Sequence, residues 1–155
     1  MIGVLALLQR VRQAQVLIEA RVVADIGVGL VCLVCAEQGD SEQQADRLLD
    51  KILKLRIFAD EAGKMNRSVQ NLDGHGSAGS LLIVSQFTLA ADTSGGNRPS
   101  FTNAAPPHEG RRLYEHLVQR ARQAHSNIQT GEFGANMQLH LINDGPVTIP
   151  LRIVP

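Results

Sequence analysis

Few side chains in this 155-residue sequence combine reactive chemistry with a setting in which it could be used. Thr88, in the run Ser85-Gln86-Phe87-Thr88-Leu89, is the side-chain nucleophile candidate, because covalent hydrolysis of an ester or amide needs a hydroxyl or thiol that can be activated. The activating partner is missing. His75, His108, His116, His125 and His140 fall in loop, helix and strand contexts without a nucleophile–base–orienter pattern, and no G-x-S-x-G elbow is present. No H-E-x-x-H and no His–carboxylate cluster points to zinc, so neither a metal nor a cofactor is expected. Cys32 and Cys35 lie in an apolar run read as a strand, which sends residues three apart to opposite faces, and they are read as two small buried hydrophobes. A second feature is conformational: Asn143-Asp144-Gly145-Pro146-Val147-Thr148 places Gly-Pro between two apolar runs, where it fixes the backbone. About 5–6% of X-Pro bonds in folded proteins are cis, so residue type alone reads this as a trans turn.

Both motifs must be held by strands. The segments Ile2 to Gln9, Ala14 to Glu19, Gly29 to Ala36, Ser80 to Gln86, Met137 to Ile142 and Val147 to Val154 are rich in Val, Ile and Leu and bounded by turn residues. Ser41-Glu42-Gln43-Gln44 offers a helix N-cap with a capping box, followed by Ala45, Leu48, Leu49, Ile52 and Leu55 at helical spacing. A second helix starts after Pro106-Pro107, with Leu113, Leu117, Ala121 and Ala124 on one face and Arg111, Arg112, Arg120 and Arg122 largely off it. Residues 71–79 and 92–97 read as exposed loops. The order of elements predicts one mixed α+β domain over residues 1–155, not a regular alternation of parallel units.

Composition limits the partners. Fifteen basic residues balance fifteen acidic ones, so no global positive field drives non-specific phosphate binding, and any RNA contact is local. One tyrosine, four phenylalanines and no tryptophan make a poor platform for stacking successive bases, and no DNA partner is expected. No run is long enough to span a bilayer and no signal-peptide cleavage pattern appears, which predicts a cytoplasmic protein without a membrane partner.

Taken together, Ser85-Gln86-Phe87-Thr88-Leu89 and Asn143-Asp144-Gly145-Pro146-Val147-Thr148 resemble the D-aminoacyl-tRNA deacylase family. Leu8-Gln9-Arg10-Val11, Leu55-Arg56-Ile57-Phe58, Lys64-Met65-Asn66, Asn97-Arg98-Pro99-Ser100-Phe101 and Gly131-Glu132-Phe133-Gly134-Ala135-Asn136-Met137 extend the likeness over nearly the whole chain. The clearest departure is Thr93-Ser94-Gly95-Gly96, where the family often carries a lysine. The resemblance implies a sheet curled into a partial barrel with helices packed on it, and a two-fold homodimer whose sites lie at the subunit interface. It implies hydrolysis of the ester joining a D-amino acid to the 3′ end of tRNA, assisted by the RNA's own 2′-hydroxyl. Ser85, Gln86, Phe87 and Thr88 are then the catalytic segment, with backbone N–H groups around Phe87 and Thr88 holding the oxyanion. Gly145-Pro146 is implied to be cis, its carbonyls entering the partner's amino-acid pocket to exclude L residues, while glycyl-tRNA is admitted. Phe133 and Met137 line that pocket or simply pack in the core. Two further readings stand beside this one: a non-catalytic tRNA-end binding protein, and a Thr88-nucleophile esterase or amidase.

Overall fold

The computed structural model describes residues 3–155, so the predicted strand start at Ile2 lies outside the described residues. Its organising element is β1 (Val4–Ile18), fifteen residues long. Along nearly its full length β1 pairs antiparallel with β8 (Gln138–Ile153), from Val4 opposite Ile153 to Leu17 opposite Gln138. Because β8 occupies one edge throughout, β2 (Arg21–Ile26) and β3 (Gly29–Cys35) must share the other, β2 against Ala14–Ile18 and β3 against Leu5–Val11. β3 then pairs in parallel with β6 (Ser80–Ser85), and β6 in parallel with β7 (Ile128–Thr130). The sheet curls until its ends approach: the Asp25 N–H of β2 donates to Gln129 Oε1 of β7 at 2.7 Å. A short hairpin, β4 (Phe58–Ala59) with β5 (Met65–Arg67), stands apart from the main sheet.

Side-chain alternation explains why the central strands are apolar throughout. In β3 and β6, Leu30, Cys32, Val34, Leu81 and Ile83 point to the helix-covered core, whereas Val31, Leu82 and Val84 point to the concave interior with Val11, Val16 and Ile26. Both faces are buried, so neither tolerates a polar residue. Cys32 and Cys35 fall in different clusters, as the three-residue spacing on a strand requires, and both are free thiols.

The two expected helices form. α1 (Glu42–Lys54) starts at Ser41, whose Oγ accepts from the Gln44 N–H while Gln44 Oε1 accepts from the Ser41 N–H at 2.9 Å. Gln44 is itself buried and donates to Asp40 Oδ1 and to the Ile153 carbonyl, tying the helix start to the end of β8. α2 (Pro107–Ala124) buries Leu113, Tyr114, Leu117 and Ala121; Ala124, expected on the same face, is exposed in the last turn. Polar side-chain pairs join the helices, Arg112 to Glu42 at 2.9 Å and His116 to Asp46 at 2.7 Å. Neither helix is long and apolar enough to cross a membrane.

The strand boundaries differ from expectation in an instructive way. Ile2–Gln9 and Ala14–Glu19 are one strand, and so are Met137–Ile142 and Val147–Val154. The polar residues between each pair broke the apolar pattern, but a long partner strand keeps them extended; the interruptions survive only as shifts in register at Gln9/Val11 and Val11/Ala14. β2, β4, β5 and β7 were not anticipated, being short and largely polar or exposed on their outer side.

Burial raises the Cys32 thiol to about 12 and, with help from the nearby Glu37 carboxylate, Cys35 to about 11. Both values lie above the ordinary thiol value of 9.0, so the folded state favours the neutral thiols. That stabilisation is complete below pH 9 and is lost as pH rises through the folded values, because the unfolded chain sheds these protons first. The melting temperature is therefore expected to fall between pH 9 and 11, and Cys32→Ala to show a shallower fall than the parent in melts read by circular dichroism. Identical slopes would assign the alkaline loss to other groups.

Candidate functional site

β6 runs out at Ser85, and the chain turns through Gln86 into a single 3₁₀ turn, Phe87–Ala90. The turn is anchored on both sides: the Gln86 N–H donates to the Val34 carbonyl of β3 at 2.8 Å, and the Cys35 thiol points to the Phe87 carbonyl at 3.7 Å. As the first two residues of the turn, Phe87 and Thr88 have N–H groups that its own i→i+3 ladder does not use. The start of the turn borders a cleft of about 760 Å³ between the end of the sheet, the start of α2 and the segment from Phe133 to Met137. Ser85, Gln86, Phe87, Phe133 and Met137 all line it.

Thr88 stands outside that lining. It is exposed, and its Oγ1 donates to Gln86 Oε1 at 2.7 Å, which orients the glutamine and leaves the hydroxyl without a basic partner. The histidines are elsewhere: His116 is paired with Asp46, and the buried His125 contacts the Gly79 carbonyl at 2.6 Å. No His, Asp, Glu, Lys or Arg lines the cleft among the described residues. Its titratable side chains are Cys35, raised to about 11 as above, and Tyr114, which burial raises to about 12. Both are fully protonated at neutral pH, so neither supplies a thiolate or phenolate. Tyr114 instead donates to the Ile83 carbonyl at 2.8 Å and packs against Phe133, centroids 5.8 Å apart. Met137 is fixed from below, where its sulfur receives the Glu132 N–H at 3.5 Å; a Cβ on Gly131 would come within 2.7 Å of that sulfur. Phe87 meets Phe101 edge-on at 5.0 Å, and both rings are exposed at the cleft, an aromatic surface that composition alone did not suggest. Their wide separation in sequence hid the pairing.

Gly145-Pro146 is a cis peptide. It lies inside β8, not between two strands, in the bulge where β8 passes Arg10 of β1. The surrounding motif holds it. Asn143 Oδ1 accepts from the Val147 N–H at 3.1 Å, Asn143 Nδ2 donates to Thr148 Oγ1 at 2.8 Å, and Arg10 donates to the Asp144 carbonyl at 3.1 Å and to the Ile57 carbonyl at 2.8 Å. Arg10 thus clamps the Gly-Pro bulge, a role its residue type and position in the sequence do not reveal. Both Gly145 and Pro146 are exposed, and neither lines the cleft. Register shows how far apart the motifs are: Ser85 is level with Val34 and Ala6, while the bulge lies opposite Arg10, four residues along and three strand spacings across. That is roughly 13 Å by 14 Å on the sheet.

The cleft thus combines an apolar wall with a backbone turn and carries no ionised side chain among the described residues, an arrangement suited to orienting a substrate. Comparison with known proteins gives the family. The model of the D-Tyr-tRNA(Tyr) deacylase family matches residues 7–152. A protein of Delftia acidovorans named D-aminoacyl-tRNA deacylase is 69% identical over 151 residues, 97% of each chain, and one of the same name from Cupriavidus necator is 64% identical over 97% of this chain and 99% of its own. A solved structure described as c-Myc DNA Unwinding Element Binding Protein superposes with a TM-score of 0.87 at 36% identity, covering 96% of this chain and 97% of that one. A probable eukaryotic D-amino acid tRNA deacylase shares the fold, with a TM-score of 0.81 at 18% identity over 97% and 100% of the two chains. The chain belongs to the D-Tyr-tRNA(Tyr) deacylase family and is an ester hydrolase acting on aminoacyl-tRNA.

Gly145 has φ +133°, and an added Cβ would stand 2.7 Å from Val147 Cγ2. Gly145→Ala therefore strains the backbone as well as altering an exposed surface, and is expected to cost about 1–3 kcal/mol in urea denaturation while remaining folded. A variant as stable as the parent would show that the bulge relaxes freely.

Proposed function

We propose that the cleft hydrolyses the ester between a D-amino acid and the 3′-terminal adenosine of tRNA, and that each site is completed by the Gly145-Pro146 bulge of a second copy of the chain. The observation that carries the mechanism is the absence of any ionised side chain from the cleft lining among the described residues, where the lining includes the start of a turn whose own ladder leaves the Phe87 and Thr88 N–H groups unused. Water adds to the ester carbonyl, whose oxygen becomes an oxyanion held by these donors. The intermediate collapses as the bond to the ribose 3′-oxygen breaks, and the water's proton reaches that oxygen through the neighbouring 2′-hydroxyl. Ser85 and Gln86 hold the turn, with Thr88 bonded to Gln86 as its brace. Phe133 and Met137 form the apolar wall for the nucleoside.

Selectivity follows from exclusion. With ester and ammonium fixed, exchanging the hydrogen and side chain at Cα aims an L side chain where a D residue places hydrogen. Carbonyl oxygens of the bulge in that direction reject the L form, and glycine, with no side chain, enters. The separation of the two motifs within one chain supports a two-fold homodimer with a shared site, since one copy cannot bring its own bulge to its own cleft.

Deacylation of D-tyrosyl-, L-tyrosyl- and glycyl-tRNA at matched enzyme concentration tests this reading. Rapid loss of the first, resistance of the second and hydrolysis of the third are expected; decay of all three at the spontaneous rate would leave the binding-protein reading. Thr88→Ala should keep substantial activity, whereas a 2′-deoxy terminal adenosine should react poorly, and trapping of an acyl group on Thr88 would reverse the mechanism. The shared site has its own test. Phe87→Pro removes one donor at a position that accepts proline, and Gly145→Ala alters the bulge. Co-expressed, the two inactive variants should regain activity, because each heterodimer has one undamaged site. Activity no higher than that of either variant alone would count against sharing.

A further inference from the structure

The substrate is a polyanion, with a phosphodiester one ribose away from the ester, yet no Lys or Arg lines the cleft among the described residues. Positive charge must come from the rim. Arg111, in the first turns of α2, places its guanidinium carbon 4.9 Å from the centroid of Phe133, and Phe133 lines the cleft. The preceding residue, Gly110, also lines it, and a Cβ there would stand 3.6 Å from Phe133 Cζ, so helix and ring are in direct apposition. Tyr114 packs the same ring and is itself pinned to the Ile83 carbonyl. The guanidinium therefore lies on a fixed aromatic shelf.

Two other arginines of α2 are committed differently. Arg112 is held by Glu42 and Glu109, both at 2.9 Å, and Arg120 lies 3.5 Å from Asp46, so both serve the contact with α1. The anion near Arg111 is Glu115, one helical turn on at 3.5 Å, with the two side chains 55% and 63% exposed. Such solvated pairs are weak and exchange readily for a phosphate that accepts two parallel hydrogen bonds.

We propose that Arg111 binds the phosphodiester immediately 5′ of the terminal nucleotide, with Phe133 holding its guanidinium flat at the cleft mouth. The inference rests on the reading that places the ester at the Phe87–Thr88 turn. A planar guanidinium suits both duties, its face on the ring and its edge donors toward phosphate oxygens. Arg111 positions the RNA and takes no part in bond breaking, so its effect falls on binding.

The test compares D-tyrosyl-tRNA with the 3′-D-tyrosyl ester of adenosine, which has no phosphate. R111A should raise KM for the tRNA roughly tenfold, the scale of one charge-assisted contact, with kcat within about twofold. It should also lower the slope of log(kcat/KM) against log salt by about one, and leave KM for the adenosine ester in place. R111K should restore the salt slope but only part of KM, because an ammonium lacks the fork and the stacked face. An equal rise in KM for both substrates would make Arg111 a support for Phe133, and an unchanged KM and salt slope would exclude it from the RNA contact; either overturns the inference. If the adenosine ester turns over too slowly to compare, the salt slope with tRNA decides. Failure of the unaltered enzyme on both esters would remove the underlying reading, and the inference with it, and is visible before any variant is measured.

Discussion

The antiparallel ladder between β1 and β8 is the constraint from which the rest of the molecule follows. A strand has two edges, and β8 fills one edge of β1 from Val4 to Leu17. The chain turns back at Glu19-Ala20, β2 and β3 are then forced end to end along the other edge with the Gly27-Val28 link carrying the chain on in the same direction, and the sheet must curl. Curling creates a concave apolar interior distinct from the helix-covered face, so β3 and β6 have to be apolar on both sides. The ladder also determines where the two chemical motifs can lie. β6 ends level with the start of β1, and the Gly-Pro bulge falls near its middle, three strands away. The two motifs are therefore separated by a distance that no side-chain adjustment within one chain removes.

What the sequence made legible was whatever depends on local periodicity. The capping box at Ser41 and Gln44, the stripe of Ala45, Leu48, Leu49 and Ile52, and the proline start of α2 are written in neighbouring residues, and the structure has all of them. Alternation along β3 likewise sends Cys32 and Cys35 to different clusters. The limits of β1 and β8 were not legible, because a polar stretch such as Gln9-Arg10 stays extended only when a partner strand supplies its hydrogen bonds. At the site, the segment from Ser85 to Thr88 and the Gly-Pro pair stood out by residue type, and likeness to a family supplied the cis geometry that frequency argued against. Neither source exposed the clamp of Arg10 on the Asp144 carbonyl or the meeting of Phe87 with Phe101, since both join residues brought together only by the completed fold.

A cleft without ionised groups is also a consequence of where it was built. Its floor is the end of a doubly buried sheet, and a carboxylate or ammonium there would lose its hydration with little in return. The titratable residues that do occur, Cys35 and Tyr114, are shifted toward their neutral forms by that same burial. Backbone N–H groups escape the penalty. They are dipoles already fixed by the turn, they need no counterion, and the strand that carries them anchors them through the Gln86 N–H bond to Val34. The proposed catalysis by oriented donors is a form of electrostatic help compatible with such a location.

Low internal charge has a further effect on how a polyanionic substrate is recognised. With formal charges balanced over the chain and absent from the cleft lining among the described residues, neither a global field nor a charged wall draws RNA in. Recognition then divides by depth. In the proposed reading the apolar wall and the turn act on the last nucleotide and its ester, where discrimination between enantiomers requires fixed geometry. The same reading leaves phosphates at the rim, where a guanidinium can keep its hydration until an anion arrives. An aromatic ring beneath the guanidinium reconciles the two zones, because one face of Phe133 belongs to the apolar cleft and another carries Arg111. The same ring can serve an uncharged interior and a charged entrance only because its faces are apolar in shape and electronegative in their quadrupole.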